Sequence, residues 1–234
     1  VRLAVIPARG GSKRIPRKNI KSFCGQPMLS YSIKAAQDSN VFDDIIVSTD
    51  DPEIAALAEK LGASVPFMRP ESLSDDFVGT RPVTNHAIET YRDRIAPVTY
   101  CCCIYATAPF IQPNYLREGY QALLDAPEKA FAFSVTSFAF PIQRALRLVQ
   151  HPDQTMGVSV MYPDSINKRS QDLEEGFHDA GQFYWGTAEG YASSKGMFSE
   201  HSIPIVLPRH LVQDIDTQED WHRAELMYQA YINR

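Results

Sequence analysis

The sequence predicts an α/β protein built on a mainly parallel sheet with helices on both faces. Three observations carry this expectation. Apolar strand-like runs alternate with helical patterns along most of the chain. The first run opens into a glycine-containing basic loop, and the second into a Ser48-Thr49-Asp50 turn; such strand ends are where open sheets of this kind hold ligands. The segment after that turn carries both a start and a stop signal for a helix.

In chain order, "LAVIP" reads as the first strand, and "MLSYSIKAAQDS" as a helix after the basic loop. "DDIIVSTD" is the second strand, and "DPEIAALAEKLGA" a helix with Asp51 as N-cap, Pro52 in its first turn and Gly62 as its stop. "SVPFM" is expected to form a short strand, residues 80 to 94 a helix, and "VTYCCCIYA" a buried strand. "NYLREGYQALLDA" is an amphipathic helix and "KAFAFSVTSF" another strand. Residues 139 to 176 break the rhythm with Pro141, Pro152 and Pro163 and are expected to be an inserted extended or hairpin segment within a single 1–234 domain. "GQFYWG" returns to the sheet, "SIPIVLP" is a late strand, and a helix follows from about residue 217.

Composition narrows the function. A chain of 234 residues, 44% hydrophobic, can bury one sizeable core. No apolar run approaches the ~20 residues that cross a bilayer, and the start lacks the pattern of a secretory signal. The formal net charge of −5 argues against general nucleic-acid binding. Cys101, Cys102 and Cys103 are consecutive, so on a strand they point to alternate faces and do not converge on one metal. They read as small hydrophobes, and free thiols imply a reducing cytoplasm.

Against this acidic background, "VIPARGGSKRIPRKNI" gathers Arg9, Lys13, Arg14, Arg17 and Lys18 around Gly10-Gly11-Ser12. Two glycines and a serine after a strand let backbone N–H groups converge on a phosphate, with Arg9 and Lys18 reaching the flanking oxygens. The spacing is neither that of a P-loop nor of a dinucleotide fold, and a solvated basic loop is the alternative. Asp214 and Asp216 in "DIDTQEDW" suit Mg²⁺ shared with phosphate oxygens, while Thr217 with Asp220 reads as a helix N-cap; both readings hold together. Lys168, Arg169 and Gln171 lie before the aromatic run "FHDAGQFYWG", a mixture that suits a carboxylated sugar or, alternatively, an exposed edge.

"IPARGGSKRIPRKNI", "IIVSTDDPEIAALAEKLGASVPFMRPESLSDD", "RSQDL" and "DIDTQEDW" together resemble the cytidylyltransferases that activate nonulosonic, sialic-type acids. The resemblance runs in order over nearly the whole chain. It implies a Rossmann-like nucleotidyltransferase core, CTP and a nine-carbon acidic sugar as substrates, Mg²⁺, and a homodimer whose inserted segment covers the neighbour's sugar site. By position it implies a nucleotide site of Ala8, Arg9, Gly10, Gly11, Ser12, Lys18, Asn19, Arg69 and Asp75, with Asp214 and Asp216 on the metal. Arg9, Lys18 and the two aspartates are the residues expected to carry the reaction.

On the sugar side the resemblance implies Arg169 and Gln171, with Tyr105, Thr107 and Asp179 in two segments that depart from the sialic pattern. "YATAP" and "HDAGQFYWG" look like the branch acting on pseudaminic acid. Its second acetamido group and terminal methyl would favour apolar and aromatic surface, expected from Tyr105, Ala106, Ala108 and Phe110 and from Phe177, Phe183, Tyr184 and Trp185. Sialic or legionaminic acid is the alternative acceptor. A glycosyltransferase or a non-catalytic nucleotide sensor would share the aspartates, but the dense basic loop argues against the first and the full charged set against the second.

Overall fold

A computed structural model of the protein describes residues 1–75 and 77–233. Its strands and helices alternate as the apolar patterning predicts. Strand β1 (Arg2–Pro7) is followed by a two-residue ribbon, β2 (Ser22–Phe23) and β3 (Gln26–Pro27), then α1 (Met28–Ser39), β4 (Asp44–Ser48) and α2 (Pro52–Lys60). Next come α3 (Thr80–Arg94), β5 (Tyr100–Ile104), α4 (Pro113–Asp125) and β6 (Phe131–Ser137). The hairpin β7 (Leu146–Gln150) and β8 (Met156–Val160) precedes β9 (Phe177–Thr187), α5 (Ala188–Ala192), β10 (Ser202–Val206) and α6 (Gln218–Ile232).

The main sheet runs β10-β6-β9-β5-β1-β4. β1 pairs in parallel with β4 and β5, and β10 with β6. β9 lies antiparallel between β5 and β6, so the sheet is mainly but not wholly parallel. Alternation along β1 sets the two cores. Ala4 and Ile6 pack with Leu29 and Ile33 of α1, Ile54 of α2 and Leu116 of α4. Leu3 and Val5 pack with Ala87, Ile88 and Tyr91 of α3 and Tyr191 of α5. Each large side chain fully buried in this way contributes about 1.5–3 kcal/mol.

Local chemistry explains the element ends. The Asp51 carboxylate accepts from the N–H groups of Glu53 and Ile54, Pro52 opens α2, and Gly62 turns the chain away at φ +87°. At α6, Thr217 and Asp220 form a complete capping box. One expectation fails: residues 64 to 68 are not a strand. They touch β4 only through single bridges, Ile46 with Ser64 and Thr49 with Met68. Pro66 within so short a run removes a ladder donor and stops continuous pairing.

Cys101, Cys102 and Cys103 sit buried in β5, and burial pushes their thiols upward, which keeps them protonated and unreactive. Among the described residues no helix is long and apolar enough to cross a membrane.

Candidate active site

The carboxyl ends of β1 and β5 open into a cleft of about 550 Å³. Arg9, Ser12, Lys18, Asn19, Arg69, Asp75, Tyr105, Thr107 and Asp216 all line it, so residues expected to act together from distant segments do meet. Gly10 and Gly11 line a shallower depression beside it, with Arg9 and Ser12 common to both. Ala8 is fully buried beneath, its N–H donating to Ser48 O at 2.9 Å.

Each polar group is held for an identifiable reason. Asn19 is nearly buried and donates through Nδ2 to Arg9 O at 2.9 Å, which folds the basic loop back on itself. Lys18 Nζ donates to Ile215 O at 2.7 Å and lies 3.4 Å from Asp216 Oδ1; Arg14 Nη2 approaches that same oxygen at 3.1 Å. Arg69 is only 6% exposed: Nε donates to Ser48 Oγ at 3.1 Å and Nη2 to Ser48 O. Burial, with the opposing effect of Asp50 and the reinforcing charge of Arg9, lowers its pKa from the ordinary guanidinium value. It remains charged at neutral pH, a cation already desolvated at the cleft wall.

The backbone nest expected at Gly10-Gly11-Ser12 is partly engaged from within. Gly10 N–H donates to Asp50 Oδ1 at 2.9 Å. A Cβ on residue 10 would lie 2.6 Å from Asp51 Oδ2, so the close approach of loop and helix cap requires glycine there. Arg17, one of the five cations of the loop, pairs with Asp51 and Glu53 and serves the fold rather than the cleft. Asp75 turns Oδ1 toward the N–H groups of Phe77 and Val78, at 2.8 and 2.9 Å, and shapes its own loop while lining the cleft.

Of Asp214 and Asp216, only Asp216 lines the cleft. Desolvation first, and then the negative charge of Asp216, raise the Asp214 pKa; Lys18 opposes them. The capping box also orients this segment, because Asp220 Oδ2 accepts the N–H groups of Asp216 and Thr217 at 3.1 and 2.8 Å. Two hard, mutually repelling carboxylates, one of them lining the cleft, are oxygen donors of the kind that suits a divalent cation taking its other ligands from substrate and water. Among the described residues no three His, Cys, Asp or Glu side chains gather to hold a metal alone.

The sugar side divides. Tyr105 and Thr107 line the cleft, and Asp179 joins them indirectly, accepting from Tyr184 Oη whose ring packs on Tyr105. Arg169 and Gln171 do not line it. Both are exposed, Gln171 on the turn Ser170–Asp172 and Arg169 just before it, where Arg169 Nε donates to Asp172 Oδ2 at 2.7 Å.

Several expected aromatic contributors lie elsewhere. Phe183 and Trp185 point to the α1–α4 side, where Trp185 stacks on Phe42 at 4.9 Å and donates to Leu116 O. Phe110 packs against Tyr228 and Tyr231 of α6. Strand alternation and the demand of the core for large rings decide these directions. Conversely, Lys13, Arg14, Thr80 and Val83 line the cleft without having been singled out as site residues. The first two were visible as charge in the basic loop. Thr80 and Val83 have no local signal, because only packing of α3 on the sheet brings them there.

The model of the family described as "Cytidylyltransferase" matches residues 3–218. Over 228 residues the chain is 43% identical to a pseudaminic acid cytidylyltransferase of Campylobacter jejuni, covering 97% of this chain and 96% of the relative. It is 31% identical over 230 residues to a CMP-N,N'-diacetyllegionaminic acid synthase of Legionella pneumophila, covering 95% and 94%. Among solved structures, a CMP:2-keto-3-deoxy-manno-octonic acid synthetase complexed with CTP superposes with a TM-score of 0.67 over 98% of this chain and 99% of that one. At 18% identity that likeness establishes the Rossmann-like fold alone. With the family model spanning nearly its whole length and a relative 43% identical over almost all of both chains, the chain belongs to the cytidylyltransferase family.

Proposed function

We propose that this enzyme transfers CMP from CTP to a nonulosonic acid, with pseudaminic acid as the acceptor, and releases pyrophosphate. The observation that carries the reading is the convergence of Arg9 and Lys18 of the basic loop, Arg69 and Asp216, from three separate segments, on one cleft. The resemblance of the whole chain to a pseudaminic acid cytidylyltransferase supports the choice of acceptor.

In this reading the anomeric hydroxyl of the sugar attacks the α-phosphorus of CTP. An O–Pα bond forms, the Pα–O bond to pyrophosphate breaks, and the hydroxyl proton leaves to solvent. Arg9 and Lys18 neutralise the triphosphate, and Arg69, pre-desolvated and fixed on Ser48, adds a directed charge. Because Ile215 O and Asp216 already hold Lys18, little reorganisation accompanies binding. Asp214 and Asp216 would hold Mg²⁺, which when bound supplies charge neutralisation at the phosphates.

The enzyme works as a homodimer in this reading. Leu146, Leu148, Met156 and Val158 of the β7–β8 hairpin are 54%, 72%, 60% and 66% exposed. Leu148 and Val158 are paired across the ladder, so one face of the hairpin is an apolar patch. In this reading a second copy of the chain buries that patch, and the exposed Arg169 and Gln171 serve the neighbour's sugar site.

Product analysis with CTP and a panel of nonulosonic acids tests the reading. The expected outcome is CMP-pseudaminic acid and pyrophosphate, with kcat/KM at least roughly a hundredfold above that for N-acetylneuraminic acid. Equal or inverted preference moves the acceptor to the sialic or legionaminic class. No pyrophosphate release with any acceptor removes the reading altogether.

A further inference from the structure

Tyr184 is 5% exposed, yet its hydroxyl reaches both oxygens of the surface residue Asp179, at 2.8 Å to Oδ1 and 2.7 Å to Oδ2. The sheet is deformed to allow this. Between the pairs Val135–Asp179 and Phe133–Tyr184, β9 carries residues 180 to 183 where β6 carries only Ser134. Gly181 takes φ +64° in that bulge, and its N–H donates to Asp179 Oδ1 at 2.9 Å, turning the carboxylate back over the strand. Ser134 Oγ patches the interrupted ladder through the N–H of Phe183 at 3.2 Å. The Tyr184 ring is stacked on Phe133 at 5.9 Å and tilted against Tyr105 at 5.1 Å. Tyr105 in turn lines the cleft, and its N–H donates to Gln182 O at 2.8 Å inside the same bulge.

This arrangement has a chemical consequence. A phenol has one proton, and Tyr184 gives it to Asp179. Tyr184 therefore offers no donor to a ligand, while the carboxylate keeps lone pairs to accept one. The Tyr105 ring is held by the same residue, since it packs on Tyr184, which is backed in turn by Phe133. A fixed anionic acceptor and an aromatic face, both anchored on Tyr184, match a group that pairs an N–H with a methyl, and the acceptor repels a carboxylate. A hydroxyl would satisfy the acceptor but leave the ring without an apolar partner.

We propose that Tyr184 is a positioning residue that holds Asp179 and Tyr105 as a recognition unit for an acylamino group of the acceptor, and so determines which acidic sugars are used and which way round they bind. This rests on the proposed function, since it takes the Tyr105 end of the cleft as the acceptor end.

The test compares wild type, Tyr184→Phe, Asp179→Asn and the double variant. Each is assayed with an acylamino-bearing nonulosonic acid and with a nonulosonic acid carrying hydroxyls in place of the acylamino groups. Asp179→Asn keeps an oxygen for Tyr184 and Gly181 but replaces the outward acceptor with a donor. Tyr184→Phe keeps the ring stack and releases the carboxylate. Each single variant is expected to raise the acceptor KM at least tenfold, leave the CTP KM within about twofold, and cut the preference for the acylamino acceptor at least tenfold. The double variant should be no worse than the poorer single one, because both changes break one unit.

A purely structural role would lower thermal stability and disturb both KM values together, and that result overturns the proposal. Unchanged acceptor selectivity in Asp179→Asn overturns it as well, whatever the fate of Tyr184→Phe. Failure of wild type to turn over any nonulosonic acid is a separate outcome; it overturns the functional reading and this inference with it.

Discussion

Lys18 Nζ donates to the main-chain oxygen of Ile215 at 2.7 Å and lies 3.4 Å from Asp216 Oδ1, which ties the basic loop after β1 to the acidic segment before α6 across 197 residues of sequence. The two halves of the charged site are thus one unit before any substrate arrives. In a nucleotidyl transfer the barrier falls mainly through such fixed charges.

Lys18→Met should therefore lower kcat/KM for CTP. A charge-assisted hydrogen bond contributes about 1.5–3 kcal/mol, which corresponds to roughly tenfold to a hundredfold or more. Arg223→Ala on α6, outside the cleft-lining residues, should be nearly silent. Steady-state kinetics at varied CTP checks both, and equal effects in the two variants would reduce the loop to a solvated surface.

Asp216→Asn keeps side-chain size and the α6 capping box while removing one charge from the aspartate pair. Turnover should fall at least about a hundredfold with the melting temperature nearly unchanged, and the Mg²⁺ dependence should shift to higher concentration. Titration of initial rate against Mg²⁺, alongside a thermal melt, is the measurement. Near wild-type rates at limiting Mg²⁺ would sink the metal assignment.

Leu148→Asp places a charge on the hairpin face, opposite Val158. If a second copy covers that face, light scattering should show a monomer. Calorimetry should show CTP affinity close to wild type, while acceptor turnover falls at least tenfold because Arg169 and Gln171 no longer reach a cleft. A wild-type enzyme that is fully active as a monomer would exclude the shared site.

A pH prediction follows from Arg2 and Asp43 at the far end of the sheet. The side-chain hydrogen bond from Arg2, aided by its backbone N–H, lowers the Asp43 carboxyl to about 2. The unfolded value is about 3.9, so the folded state binds the proton less readily than the unfolded state. The contribution is complete above the unfolded value and is lost as pH falls toward about 2. Both side chains are more than a third exposed, so solvent screening keeps the gain to about 1 kcal/mol or less. Denaturant melts of Arg2→Gln should show a shallower loss of stability between about pH 4 and 2 than wild type.

The sequence by itself determined the elements whose signals lie within a turn of their own residues. The Asp51-Pro52 start and Gly62 stop of α2, the Thr217–Asp220 box of α6 and the apolar alternation of β1 are of this kind. So is the basic loop, since no long-range information is needed to see cations clustered around two glycines. The β7–β8 hairpin likewise falls within the segment where the regular rhythm stops.

Tertiary structure decided what faces what. Nothing local to "GQFYWG" says that β9 will enter antiparallel between β5 and β6, or that a bulge will turn Asp179 onto Tyr184. Nor does local sequence show that Asp50 will occupy the Gly10 N–H, that Thr80 will reach the cleft, or that Trp185 will stack on Phe42. The physical reason is the range of the forces involved. Caps and periodicity are satisfied within a few residues, whereas a buried ring or backbone donor takes its partner from whichever segment the completed core brings within a few ångströms.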